Sequence, residues 1–129
     1  MKKALLIGFV LVFGLYLASA ALAADEAAIK SNVDQIVEGI NGGKAPTDFN
    51  AGDYDPYVFI MEQEGTMLVH PKLMGKSLNT EEYKPVYDAL IQSTPEGTWV
   101  EYEWQGAGKK SYVRTTDGGL IVGSGYTKE

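Results

Sequence analysis

Thr98-Trp99-Val100-Glu101-Tyr102-Glu103-Trp104-Gln105, then Gly106-Ala107-Gly108, then Lys109-Lys110-Ser111-Tyr112-Val113-Arg114-Thr115-Thr116, is the stretch that decides the fold. In its first segment Trp99, Glu101 and Glu103 alternate with Val100, Tyr102 and Trp104. That period of two sends successive side chains to opposite faces of a strand. A third segment, Leu120 to Tyr126, follows Asp117-Gly118-Gly119. Glycine-rich breaks this short join antiparallel neighbours, so the pattern predicts a meander of three strands. On the middle strand Lys110, Tyr112 and Arg114 share one face, and Ser111, Val113 and Thr115 take the other.

Working back along the chain, Glu81 to Ser93 places Val86, Tyr87, Leu90 and Ile91 at helical spacing, with Pro85 in the first turn where its missing N–H is not needed. Before it, Tyr54 to Glu62 and Thr66 to His70 are rich in aromatic and β-branched residues and lie at hairpin distance. Pro71 ends the second of these strands. Asn41 to Asp53 mixes Gly, Pro, Asn and Asp without period and reads as a loop. Ahead of it Ile29, Val33, Ile36, Val37 and Ile40 form one helical stripe, with Asp25 as N-cap and Gly42 as stop. The order is helix, hairpin, short helix, meander. This predicts an α+β domain: an N-terminal amphipathic helix packed on an antiparallel sheet of about five strands, with the short helix between strands 2 and 3. One long helix covers one sheet face, which leaves the other to line a cavity.

The first 23 residues read as a secretory signal peptide. Lys2 and Lys3 precede an apolar run from Ala4 to Leu17, and small residues follow up to Ala24. Ala21 and Ala23 place the cut between Ala23 and Ala24, leaving 24–129 as a single domain without stable membrane insertion. The alternative is an uncleaved anchor, because Ala4 to Ala24 is long enough to cross a bilayer. The whole chain carries 11 basic and 17 acidic residues; removing Lys2 and Lys3 leaves nine against 17, a net of −8. Such a surface repels nucleic acid and anionic lipid. The chain has no cysteine, so core packing alone must hold a periplasmic or secreted domain, and no lipid can be attached at a cysteine.

Four motifs in order carry a family resemblance: His70-Pro71 with Gly75-Lys76, Gly97-Thr98-Trp99-Val100-Glu101-Tyr102-Glu103-Trp104, Lys110-Ser111-Tyr112-Val113, and Val122-Gly123-Ser124-Gly125-Tyr126. In this order the chain resembles the single Cache domain of the type 2 class, the extracytoplasmic sensor module of bacterial chemoreceptors and sensor kinases. The resemblance implies a PAS-like sheet behind the N-terminal helix and one pocket for a small organic acid of the acetate, pyruvate or propionate type. Relative to the family pattern, one Thr is inserted after Gly97 and the Asn79 to Pro95 connection is shorter. The second transmembrane helix and cytoplasmic output domain have no counterpart before Glu129. The expected role is therefore to present ligand to a membrane receptor or sensor kinase, or to act as a stand-alone sensor subunit.

The residues also make a case of their own. A small acid leaving water needs fixed cationic or N–H donors, each charge-assisted bond contributing roughly 1.5–3 kcal/mol. His70 ends a strand beside a loop, where its ring nitrogens can tie a turn or donate into a pocket. Lys110 and Tyr112 project together, Arg114 shares their face and can clamp a carboxylate, and Tyr102 with Trp104 supplies an apolar wall bearing donors. These six are the candidate ligand-binding residues. Glu101 and Glu103, about 6–7 Å apart on one strand face, read as a solvated face rather than a catalytic pair. One histidine and no cysteine argue against zinc and haem, and no cofactor is expected. Two further readings stay open: a partner-binding module with a vestigial pocket, and a small hydrolase or isomerase of similar fold.

Overall fold

In a computed structural model, residues 25–128 are described. The expected signal peptide, and with it the choice between cleavage and anchoring, lies outside them. Helix α1 spans Glu26–Asn41, begins where the Asp25 carboxylate accepts from the Ala28 amide at 3.1 Å, and stops at Gly42. This N-cap satisfies one of the amides that a first helical turn leaves unpaired. Its stripe of Ile29, Val33, Ile36 and Val37 is fully buried. Two short 3-10 turns, Pro46–Asp48 and Ala51–Asp53, lead to the sheet.

Five antiparallel strands follow: β1 Val58–Met61, β2 Met67–Val69, β3 Thr98–Trp104, β4 Ala107–Thr115 and β5 Ile121–Thr127. Helix α2, Lys84–Leu90, lies between β2 and β3 with Pro85 in its first turn. The strands line up as β2-β1-β5-β4-β3, with the last strand inserted at the centre, which is the PAS-like arrangement expected. Alternation divides the sheet into two apolar layers. Val58, Ile60, Val69, Tyr112 and Val122 pack under α1, while Phe59, Met61, Met67, Val113 and Ile121 pack with Leu78 and with Val86 and Leu90 of α2.

The β3–β4 turn departs from expectation. Instead of looping over Gly106-Ala107-Gly108, the chain turns on Gln105 and Gly106 alone, with φ of 53° and 82°, and Trp104 pairs with Ala107. Positive φ at both central residues is the signature of the two-residue turn whose twist matches that of the flanking strands. A three-residue loop would have set Tyr102 opposite Tyr112; the observed register sets Tyr102 opposite Lys109 and Trp99 opposite Tyr112. The difference is an odd number of residues, so it moves every side chain of one strand to the other face relative to its neighbour.

Candidate functional site

That change of register decides which residues meet. Lys110, Tyr112 and Arg114, expected beside Tyr102 and Trp104, lie on the opposite face, under α1. Lys110 Nζ pairs with Glu26 at 3.1 Å and sits 5.2 Å from the Trp99 ring centre. Arg114 pairs with Asp34 at 3.0 Å and donates from Nε to the Pro95 carbonyl at 2.7 Å. Tyr112 is buried and donates to the Glu96 carbonyl at 3.1 Å, with Asp34 at 3.5 Å. The two acids are tuned by these partners. Hydrogen bonds from Tyr126 and Lys110 hold the Glu26 carboxyl below its ordinary value. Burial pushes Asp34 up, but Lys30 and Arg114 outweigh it and leave it lowered. These three residues therefore fasten the helix to the sheet, and the cavity lies elsewhere.

His70, Tyr102 and Trp104 do come together, on the face covered by α2. They surround a hollow closed by Tyr57, Phe59, Met67, Leu78, Val86, Leu90 and Lys109. It leaves only about 10 Å³ free, near the 10–15 Å³ that one water needs. A wider cleft of about 210 Å³ opens outside it between Tyr57, the His70–Leu73 turn, and Trp104 with Gln105. Tyr57, His70 and Trp104 border both spaces and form the partition between them. Their rings are braced: Tyr57 meets His70 edge-on at 5.2 Å, His70 lies 6.2 Å from Trp104, and Tyr83 stacks on Trp104 at 5.6 Å.

Every polar group that this partition offers from a side chain is a donor or a hydroxyl. Lys109 is 6% exposed and donates to Tyr57 Oη at 2.8 Å. Among the described residues no carboxylate pairs with it, although each of the other paired lysines has found an acid. Its ammonium lies 4.5 Å from the Tyr57 ring centre, a second and weaker compensation. Because Tyr57 Oη accepts from Lys109, its own proton is left to donate elsewhere. His70 Nδ1 accepts from the amides of Lys72 and Leu73 at 3.0 and 3.1 Å, so the neutral ring carries its proton on Nε2 as a further donor. Burial first, then the Lys109 and Lys72 charges, hold the imidazole down to about 4. Deeper in, Tyr102 Oη and Ser111 Oγ satisfy each other at 2.7 Å, and burial raises the Tyr102 phenol well above its ordinary value. Gly125 permits this pairing, since a Cβ there would lie 2.1 Å from Ser111 Oγ.

Lys109 and Tyr57 are the site residues that the motifs did not single out. Both carried a signal: Lys109 is two residues before Ser111, and Tyr57 is two before Phe59, so each belongs to the cavity-side series once the register is known.

A helix, a PAS-like sheet and a donor-lined cleft on the face away from the helix form a frame that can be compared with known families. The family model of single Cache domain 2 matches residues 1–117. The chain belongs to that family. Single Cache domains are extracytoplasmic sensor modules that bind small molecules and typically sit in membrane sensor proteins; they are not enzymes in general. Nothing among curated proteins or solved structures matches the chain. Among the described residues of this Cache domain, no helix is long and apolar enough to cross a membrane, and no group of acids and histidines is placed to hold a metal. The match ends at Asp117, so the Cache assignment rests on everything up to β4, including both walls of the cleft.

Proposed function

We propose that this Cache domain is a periplasmic or secreted sensor domain whose cleft takes a small organic acid and does no chemistry on it. The observation that carries the reading is Lys109: a buried ammonium with a phenol for a partner and, among the described residues, no carboxylate, set behind a wall of donors in a domain that is otherwise strongly acidic. A buried unpaired charge is costly, and an anionic ligand supplies the missing counter-ion. The carboxylate sits at the partition, accepting from the Tyr57 hydroxyl, His70 Nε2–H and the Trp104 indole N–H. Lys109 stands behind Tyr57 and polarises its hydroxyl toward the anion. A cleft of about 210 Å³ suits acids of two to five carbons and is small against the roughly 300–1,000 Å³ of pockets for drug-sized ligands. The acid is then presented to a membrane receptor or sensor kinase.

A thermal-shift panel of two- to five-carbon mono- and dicarboxylates tests this. A ligand at 100 times its dissociation constant stabilises by about 2.7 kcal/mol, which is roughly 10–20 °C for a domain of this size. Absence of any shift across the panel rejects the ligand and favours the partner-binding reading; turnover of a bound acid favours the enzyme.

A further inference from the structure

His70 is the sole histidine of the chain, and its Nδ1 is the cap of the turn that walls the outer cleft. Two amides, Lys72 and Leu73, donate to that one nitrogen. The far end of the same turn is held independently, by Met67 N to Lys76 O and Gly75 N to Met67 O, both at 2.8 Å. At the near end, Pro71 to Leu73, the Leu73 carbonyl also accepts from the Lys76 amide at 2.9 Å, but the Lys72 and Leu73 amides are held by the imidazole. Four groups face the ring: Lys72 from the turn itself, Lys109 from β4, Tyr57 ahead of β1, and Trp104 at the end of β3. Among the described residues, no carboxylate lines either space around it.

A proton on Nδ1 turns an acceptor of two N–H groups into a third donor facing them. Both hydrogen bonds are then lost, and the new cation stands beside two ammonium groups with no acid to offset it. We propose that His70 is an acid-operated latch: protonation of Nδ1 detaches Pro71–Leu73 and opens the outer wall of the cleft. The latch acts within the folded domain, because the apolar layer beneath α2 and the far end of the turn do not use the ring. Detachment does not depend on what the cleft binds. Its regulatory consequence rests on the small-acid reading: affinity falls with acid through loss of the wall, whereas added positive charge alone would raise it.

NMR of the 15N-labelled protein without ligand, titrated from pH 7 to 3.5, tests the latch. The His70 ring nitrogens and the Lys72 and Leu73 amides are expected to shift with one shared midpoint near 4. Protection of those two amides falls at least tenfold, while Met67 and Gly75, whose amides donate to the Lys76 and Met67 carbonyls, keep theirs. In His70→Asn the side-chain oxygen can accept the same amides as an Asx turn and has no proton to gain, so both stay protected throughout. The proposal is overturned if the wild-type amides stay put while the ring titrates, or if they are released over the same range in His70→Asn. Should that variant fail to fold, the wild-type comparison of ring and amides decides alone. A normal latch without any binding acid would reject the ligand reading and leave the latch standing.

Discussion

Replacing Lys109 with methionine separates what the residue does for the fold from what it does for binding. Methionine has a similar reach and fills irregular space well, so the cavity wall is kept while the charge is removed. An ammonium that is 6% exposed and compensated by one phenol bears a desolvation cost that its single hydrogen bond does not recover. Tyr57 borders the open cleft, so water can replace the lost donor at its hydroxyl. The ligand-free variant is therefore expected to be more stable by about 1 kcal/mol, raising its melting temperature by roughly 4–8 °C. Binding moves the opposite way. Lys109 does not touch the acid but polarises the Tyr57 hydroxyl that does, so removing its charge weakens that one contact by about 1 kcal/mol and the dissociation constant roughly fivefold. Differential scanning calorimetry of the ligand-free protein and isothermal titration with the best acid of the panel read the two effects. A variant that melts lower and binds the acid as tightly as wild type would refute the argument, since Lys109 would then be a structural cation.

Three further outcomes follow from the same geometry. Arg114→Ala, which removes the Asp34 pair and the Pro95 contact on the helix side, should cost about 1–2 kcal/mol by urea denaturation and leave acid affinity within twofold of wild type. At Gly97, where φ is +99° and a Cβ would fall 1.9 Å from Tyr112 Oη, substitution by alanine should cost more than about 2 kcal/mol and broaden the α1 resonances. Stability should also decline between about pH 6.5 and 4, because the unfolded histidine takes up a proton near 6.5 and the folded one only at about 4. The contribution is complete above 6.5 and on the order of 2–3 kcal/mol is lost by pH 4. His70→Asn should flatten that segment of the curve, whereas the further losses at lower pH, as the lowered Glu26 and Asp34 carboxyls are protonated, should remain.

What the sequence made legible is what local chemistry fixes. Asp25 and Gly42 bound α1 as read, the stripe from Ile29 to Val37 is the buried one, and Pro85 opens α2. The solvated reading of Glu101 and Glu103 holds, since both are exposed. The cleft was harder to read because its membership depends on parity across a hairpin. Gly106-Ala107-Gly108 looks like a turn on composition, yet Gln105 and Gly106 make it, and the odd difference exchanges Lys110 for Lys109 as the lysine beside Tyr102. Nor does a strand pattern say which face a distant helix will take. Glu26 and Asp34, on α1, claim Lys110 and Arg114, which lie far along the sequence from them.

The two tryptophans lie on opposite faces of the sheet, Trp99 under α1 with Tyr112 and Trp104 in the cleft partition, so their indole N–H signals report the two faces separately. Titrating the 15N-labelled protein with acetate, propionate and pyruvate at pH 7 should move the Trp104 indole signal saturably and leave that of Trp99 in place. Movement of Trp99 alone would put the acid among the helix-side cations. Stillness of both with every acid would mean that the buried Lys109 ammonium does not serve a carboxylate.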